Sequence, residues 1–282
     1  MTTSGIDVAA RIDGTSFSSK EHFIGLVRKE FRIAFDMLVE ATDDEWHKQT
    51  PCDMWEVRDM AGHLLDTAYA YLGYFSQARN SFPTEDPLGM QVYGDSLGLS
   101  ALEYRKVDRW EVLGRLEACV EQLLNNFEEL TEDEWGGLFV PHRWVGPVPA
   151  YLMVAFQLID YSIHNWDLRT ALGKPAFIDE PSSDLLVPFL FGLMQITVLP
   201  ELAAEADLTV KIEFTSPRSE YWTVRVAHGD LAFNPGAPET YDAEFKFTTP
   251  EFSLDVYQRV RGGIEGGDAE AIELFRKMFF TI

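Results

Sequence analysis

Basic residues are scarce in this chain. Its 282 residues include 23 Lys and Arg against 46 Asp and Glu, a formal charge of −23. Phosphate backbones are held by clustered Lys and Arg, and no basic run stands out, so nucleic acid is not expected as a partner. Anionic membrane surfaces are disfavoured for the same reason. The acidity is read as solubility. Cysteine is rarer still: Cys52 and Cys119 are the two. They make neither a disulfide framework nor a zinc-finger spacing, which fits a reducing cytoplasm. The apolar stretch Leu185–Leu199 is broken by Pro188 and Gln195. It is too short to span a bilayer and is read as a buried helix. Met1–Thr15 lacks a basic segment followed by an apolar one, so no secretory signal is expected. Internal repeats and low-complexity tracts are missing. A soluble, cytoplasmic protein is expected, long enough for two ordinary domains or one large one.

The first half has helical periodicity. Ser18 followed by Glu21 has the form of a capping box, opening a helix through about Glu40 with Phe23, Leu26, Val27, Phe31 and Phe35 on one face. Asp53 and Glu56 repeat that signal for a second helix through about Ala78. A third is expected from about Arg109 to Leu130. A fourth spans about Pro149 to Leu172 and stops at Gly173 before Pro175. Four such helices make a bundle. The connection from about Asn80 to Asp108 is long, suited to a lid or to packing across the bundle mouth. After Pro175 a fifth helix, about Asp184–Leu199, precedes alternating segments around Leu208–Phe214, Trp222–Val226 and Ala243–Phe247. Two further helices, about Pro250–Val260 and Asp268–Phe280, are separated by paired glycines. This second texture indicates a separate α+β domain. An exposed linker is expected at Lys174–Ser183.

His63, Asp160 and His164 are the residues that point to chemistry. Asp160 and His164 lie four apart and project from one face of the fourth helix. His63 comes from the second helix. The neighbourhood of the pair is apolar and aromatic (Met153, Phe156, Ile159, Ile163, Trp166), where ionisable groups are costly unless paired or metal-bound. Two imidazoles and a carboxylate suit a divalent metal with coordination positions left open.

Two blocks then carry a family resemblance. The first holds Trp46, Thr50-Pro51-Cys52, Trp55, Val57-Arg58-Asp59 and His63-Leu64. The second holds Asp160, Ile163-His164, Trp166-Asp167-Leu168-Arg169 and Ala171-Leu172-Gly173. Over roughly residues 20–175 these resemble the mycothiol-dependent maleylpyruvate isomerase family, a branch of the DinB-like four-helix bundles. The last hundred residues resemble a sterol carrier protein type 2-like domain, most visibly in Gly263-Ile264-Glu265-Gly266-Gly267-Asp268. The fold expected is therefore a two-domain chain, with a DinB-like metal-binding helical bundle over 1–178 and a smaller, sterol-carrier-like α+β domain over 179–282.

The resemblance implies a metal held by His63, Asp160 and His164, where the family often has Glu in place of the shorter Asp160. It also implies mycothiol as the thiol cofactor. Zinc is the first choice of metal, and nickel, manganese or iron also suit the donor set. The expected activity is a metal-dependent thiol transferase or isomerase acting on a small electrophile, as a monomer or homodimer. A metal-dependent hydrolase without a thiol and a non-catalytic small-molecule or lipid binder are the alternatives. Arg218 and Arg225 are candidates for an arginine that reaches the metal site and binds an anionic substrate or the thiol. Asp66, one turn after His63, could orient it or be solvated. Asp167 and Arg169 are expected in a surface or inter-helix ion pair, and Cys52 in a structural role. His22, His47, His142 and His228 are read as structural or exposed.

Overall fold

The computed structural model describes residues 10–80 and 86–280. They fall into two compact units, one Asp13–Ser182 and the other Ser183–Ile282 together with the segment ending at Ile12.

The first unit is built on four long helices. α1 (Lys20–Glu40) is followed by a short α2 (Asp43–Trp46), then α3 (Val57–Asn80) and α4 (Met90–Glu103). α5 (Arg109–Glu128), the short α6 (Glu132–Gly137), the strand pair β1 (Phe139–His142) and β2 (Gly146–Pro149), and α7 (Ala150–Ala171) complete it. α1 packs against α5 and α7, and α3 packs against the same two, so α3 and α7 are neighbours in the bundle. The apolar stripes explain this: Phe23, Val27, Phe31 and Leu38 of α1 are fully buried, as are Val57, Met60, Leu64 and Ala68 of α3. Repeats at three and four residues put these side chains on one face.

Helix starts follow local hydrogen bonding. Thr42 with Glu45 and Thr131 with Glu134 form capping boxes, and Asp108 accepts the N–H groups of Trp110 and Glu111. The box expected at Ser18 and Glu21 does not form. Ser18 Oγ pairs with Ser16 Oγ at 2.8 Å, and a 3₁₀ turn leads into α1 without a side-chain cap. Nor does Asp53 open the second helix, which begins at Val57; the Asp59 carboxylate accepts the Glu56 N–H instead. Asp59 is fully buried, and Arg105, just beyond α4, donates to both its oxygens at 2.7 and 2.5 Å. That pairing ties the start of α3 to the end of α4.

The connection expected as a lid is largely α4, apart from residues 81–85, which lie outside the described residues. α4 packs on α3 at Gly62, where an added Cβ would sit 2.7 Å from the Ala101 carbonyl oxygen. Only glycine permits that approach. The linker expected at Lys174–Ser183 is also different: α8 (Glu180–Thr197) begins inside it, and Ser182 and Ser183 are fully buried. Ser182 Oγ donates to the buried Glu30 carboxylate, which Asn165 also bonds. The linker's exposed residues are 174–177, together with Glu180 and Pro181 at the start of α8.

The second unit contains the rest of α8, α9 (Pro200–Glu205), and a five-stranded sheet. Its strands are β3 (Asp207–Ser216), β4 (Glu220–Ala227), β5 (Asp230–Pro235), β6 (Ala243–Thr248) and β7 (Ile264–Gly267). The order is β5-β4-β3-β6-β7; β3 and β6 run parallel and the other pairs antiparallel. α10 (Thr249–Val256) and α11 (Ala269–Lys277) follow β6 and β7. Strict alternation buries Leu208, Val210, Ile212 and Phe214 on one face of β3, where Phe191 of α8 stacks on Trp222 and Phe233. The other face is laced by ion pairs such as Lys246–Glu213 at 3.1 Å. Gly267 has φ +100°, and an added Cβ would lie 2.4 Å from the Asp242 carbonyl oxygen, so the chain turns there only with glycine.

Candidate metal centre

The neighbouring placement of α3 and α7 brings the three expected ligands together. Asp160 Oδ1 lies 3.0 Å from His63 Nε2 and 3.3 Å from His164 Nε2. One donor atom from each residue falls within 4.8 Å of the others. Atoms bound tetrahedrally at about 2.1 Å from one ion are about 3.4 Å apart, so the spacing fits a single divalent metal.

Two further observations concern the fit. Asp160 Oδ2 and His63 Nδ1 are buried and without a hydrogen-bond partner, a costly condition for polar atoms. Without an ion, the carboxylate and the imidazoles compensate one another's charge. Burial pushes the Asp160 carboxyl up, but the His63 and His164 imidazoles outweigh it and hold Asp160 well below the ordinary carboxylate range. Burial likewise lowers His164, and Asp160 and Asp167 overcome it, raising His164 well above an ordinary histidine. The residues present suit a metal with two nitrogen ligands and one oxygen ligand.

The walls come from the segment before α3 and from α4. Gln49 Nε2 donates to the carbonyls of Cys52 and Trp55, and Thr50 Oγ1 to that of Trp55, closing a tight loop. The loop sets the Trp55 ring 4.5 Å from the His63 ring and 5.8 Å from that of His164. Trp55 Nε1 donates to Gly98 of α4. His63 and His164 are 4% and 7% exposed, whereas the Asp160 side chain is 18% exposed. Asp160 is thus the least buried of the three.

Several expectations about neighbouring residues are corrected. Asp66 does not orient His63: its carboxylate accepts from Ser100 Oγ at 2.7 Å and faces the Tyr104 hydroxyl. Asp167 is not in a surface ion pair with Arg169. It is fully buried and accepts from His164 Nδ1 at 3.0 Å and from the Cys52 thiol at 3.4 Å. Arg169 lies over the Phe177 ring, 4.2 Å from its centre. The sequence signal for Asp167 was its position three residues after His164, on the same helix face. Arg218 and Arg225 belong to the other unit, where Arg218 pairs with Asp184 and Arg225 with Asp207.

A DinB-like helical bundle with two histidines and a carboxylate gathered between α3 and α7, followed by a mixed-sheet unit, defines a class of enzyme. Residues 28–169, half of the chain, match the family described as the mycothiol maleylpyruvate isomerase N-terminal domain, and the chain belongs to that family. Among solved structures it is similar to the mycothiol-dependent maleylpyruvate isomerase, with a TM-score of 0.62 and 16% identity over 89% of this chain and 95% of that one. A histidine-to-alanine mutant of that enzyme gives the same values. The colibactin self-resistance protein ClbS, in complex with a double-stranded DNA, has a TM-score of 0.46 and 18% identity over 54% of this chain and 94% of its own. No protein of curated function matches. Among the described residues, no helix is long and apolar enough to cross a membrane.

Proposed function

We propose that this protein is a metal-dependent enzyme that uses mycothiol to isomerise, or transfer a thiol to, a small electrophilic substrate. The observation that carries this reading is the His63–Asp160–His164 cluster, with its unpartnered buried atoms, inside a chain of this family. A divalent metal held there, zinc as first choice, supplies Lewis acidity that favours the thiolate form of a thiol at neutral pH. The protein's own part is positional. Two imidazoles and the Asp160 carboxylate provide three ligands, which leaves room for a fourth from outside. Trp55 covers the His63 side and keeps water from it, so an incoming thiol enters beside Asp160. A carboxylate shorter than glutamate leaves more space at that opening.

Equilibrium dialysis of the zinc-loaded full chain against mycothiol tests the reading. Saturable binding near one thiol per chain is expected, lost when the metal is removed by a chelator. Absence of thiol binding by the loaded protein contradicts it and favours hydrolysis by metal-bound water.

A further inference from the structure

We infer that Asp167 is a positioning residue for His164, and that Cys52 serves as its hydrogen-bond donor and not as a reactive thiol or a metal ligand. This deepens the metal reading above and depends on it.

A histidine that ligates through Nε2 must carry its remaining proton on Nδ1. That tautomer is selected by whatever accepts the Nδ1–H. His164 presents Nε2 to Asp160 and Nδ1 to Asp167 Oδ2, 3.3 and 3.0 Å away. Both contacts are made within α7, at separations of four and three residues, so one helix turn sets the imidazole plane and the tautomer together. Asp167 is fully buried. A carboxylate with no exposure is costly in a helical bundle unless its hydrogen bonds are made. Its Oδ2 takes the His164 N–H and the Cys52 S–H together. Cys52 is held at that oxygen by the loop that Gln49 and Thr50 close. The thiol is thus delivered to a carboxylate oxygen, to which it donates.

The two imidazoles are held in different ways. The equivalent acid on α3, Asp66, turns to Ser100 and Tyr104, and His63 Nδ1 has no partner. Packing under Trp55 fixes the His63 ring, whereas a carboxylate fixes His164. Cys52, His164 and Asp167 also form a second group of possible metal donors that shares His164 with the first. If that group held the ion, Cys52 would be a ligand. The buried, doubly used Asp167 oxygen argues for the positioning role.

Metal dissociation constants and cobalt absorption spectra of the full chain decide the matter. Removing the partner of a metal-bound histidine weakens metal binding about 10- to 100-fold. Asp167→Asn should show that loss, with shifted cobalt d–d bands. Asp66→Asn should stay within about threefold of the parent, and so should Cys52→Ser, whose hydroxyl keeps a donor at Asp167. An Asp167→Asn protein with parental affinity and an unchanged cobalt spectrum overturns the inference. A sulfur charge-transfer band in cobalt protein free of added thiol also overturns it, because Cys52 would then be on the metal. Should Asp167→Asn not fold, Asp167→Glu takes its place: it keeps the charge but displaces the oxygen, so parental affinity there is equally contrary. His164→Ala separates loss of the metal site from loss of positioning. If parent and His164→Ala bind metal equally, the metal reading itself fails; if only His164→Ala loses the ion, positioning alone is refuted.

Discussion

Full-length protein carrying His164→Ala should purify without the divalent ion that the parent retains, and His63→Ala should behave alike. Each change removes one of the three proposed protein ligands. The expected weakening exceeds the roughly 100-fold upper effect of losing only a ligand's hydrogen-bond partner. Thermal unfolding gives a second readout. A ligand present at about 100 times its dissociation constant stabilises the folded state by about 2.7 kcal/mol. Added zinc should therefore raise the parent's melting temperature by several degrees and leave both variants where they were. His164→Ala should also be less stable without metal, because Asp160 and Asp167 then face each other in a buried site without the imidazole between them. Equal metal content and equal zinc response in parent and both variants would contradict the assignment.

The second large effect is acid sensitivity at His142. His142 ends β1 and is 4% exposed, surrounded by the rings of Tyr71, Tyr74, Trp144 and Phe156. Its Nδ1 accepts the Trp144 N–H at 3.2 Å, which requires that nitrogen to be unprotonated. Burial pushes the imidazole down from 6.5 to about 4. Above pH 6.5 both folded and unfolded chains hold it neutral, so it contributes no pH dependence there. Between pH 6.5 and 4 the unfolded chain takes up a proton that the folded chain refuses, and stability falls with pH. Across that window the loss amounts to about 3 kcal/mol. Urea unfolding at pH 7 and at pH 4 should show the parent losing about that much more than His142→Gln. Identical losses in the two proteins would place the acid sensitivity elsewhere.

The sequence made the long amphipathic helices and the clustering of His63, Asp160 and His164 legible because both depend on spacing within a helix. Asp160 and His164 share a face at four residues, and the stripes of α3 and α7 require those helices to meet at a core. Elements without periodicity were harder to see. α4 scatters Val92, Leu97, Leu99 and Leu102 among Asp95, Ser96, Ser100 and Glu103 and contains Gly94 and Gly98, so no stripe marks it; its place is fixed by contacts with Gly62, Trp55 and Asp66 from distant parts of the chain. The β1–β2 pair carries Pro141, Pro147 and Pro149, residues that argue against strands, yet its register runs from Phe139 opposite Pro149 to His142 opposite Gly146. β7 reads as a glycine punctuation mark and becomes a strand only because β6 offers it a partner.

Asp167 shows the limit most clearly. A charged residue one turn from a histidine and two residues from Arg169 reads as part of a surface or inter-helix ion pair. Its burial follows from the loop that carries Cys52, over a hundred residues earlier in the chain, and no local pattern encodes that meeting. Capping-box spacing is an uneven guide: Thr42–Glu45, Thr131–Glu134 and Thr248–Glu251 form, while the spacing at Ser18 is taken over by a 3₁₀ turn and that at Asp53 opens no helix.

X-ray absorption at the zinc edge of the loaded full chain, with and without mycothiol, tests the central claim most directly. Without thiol, only nitrogen and oxygen neighbours are expected, two of them imidazoles. With mycothiol, one sulfur neighbour is expected at about 2.3 Å, absent from the His164→Ala protein. A shell that stays free of sulfur at saturating mycothiol would contradict it, as would sulfur already present before any thiol is added.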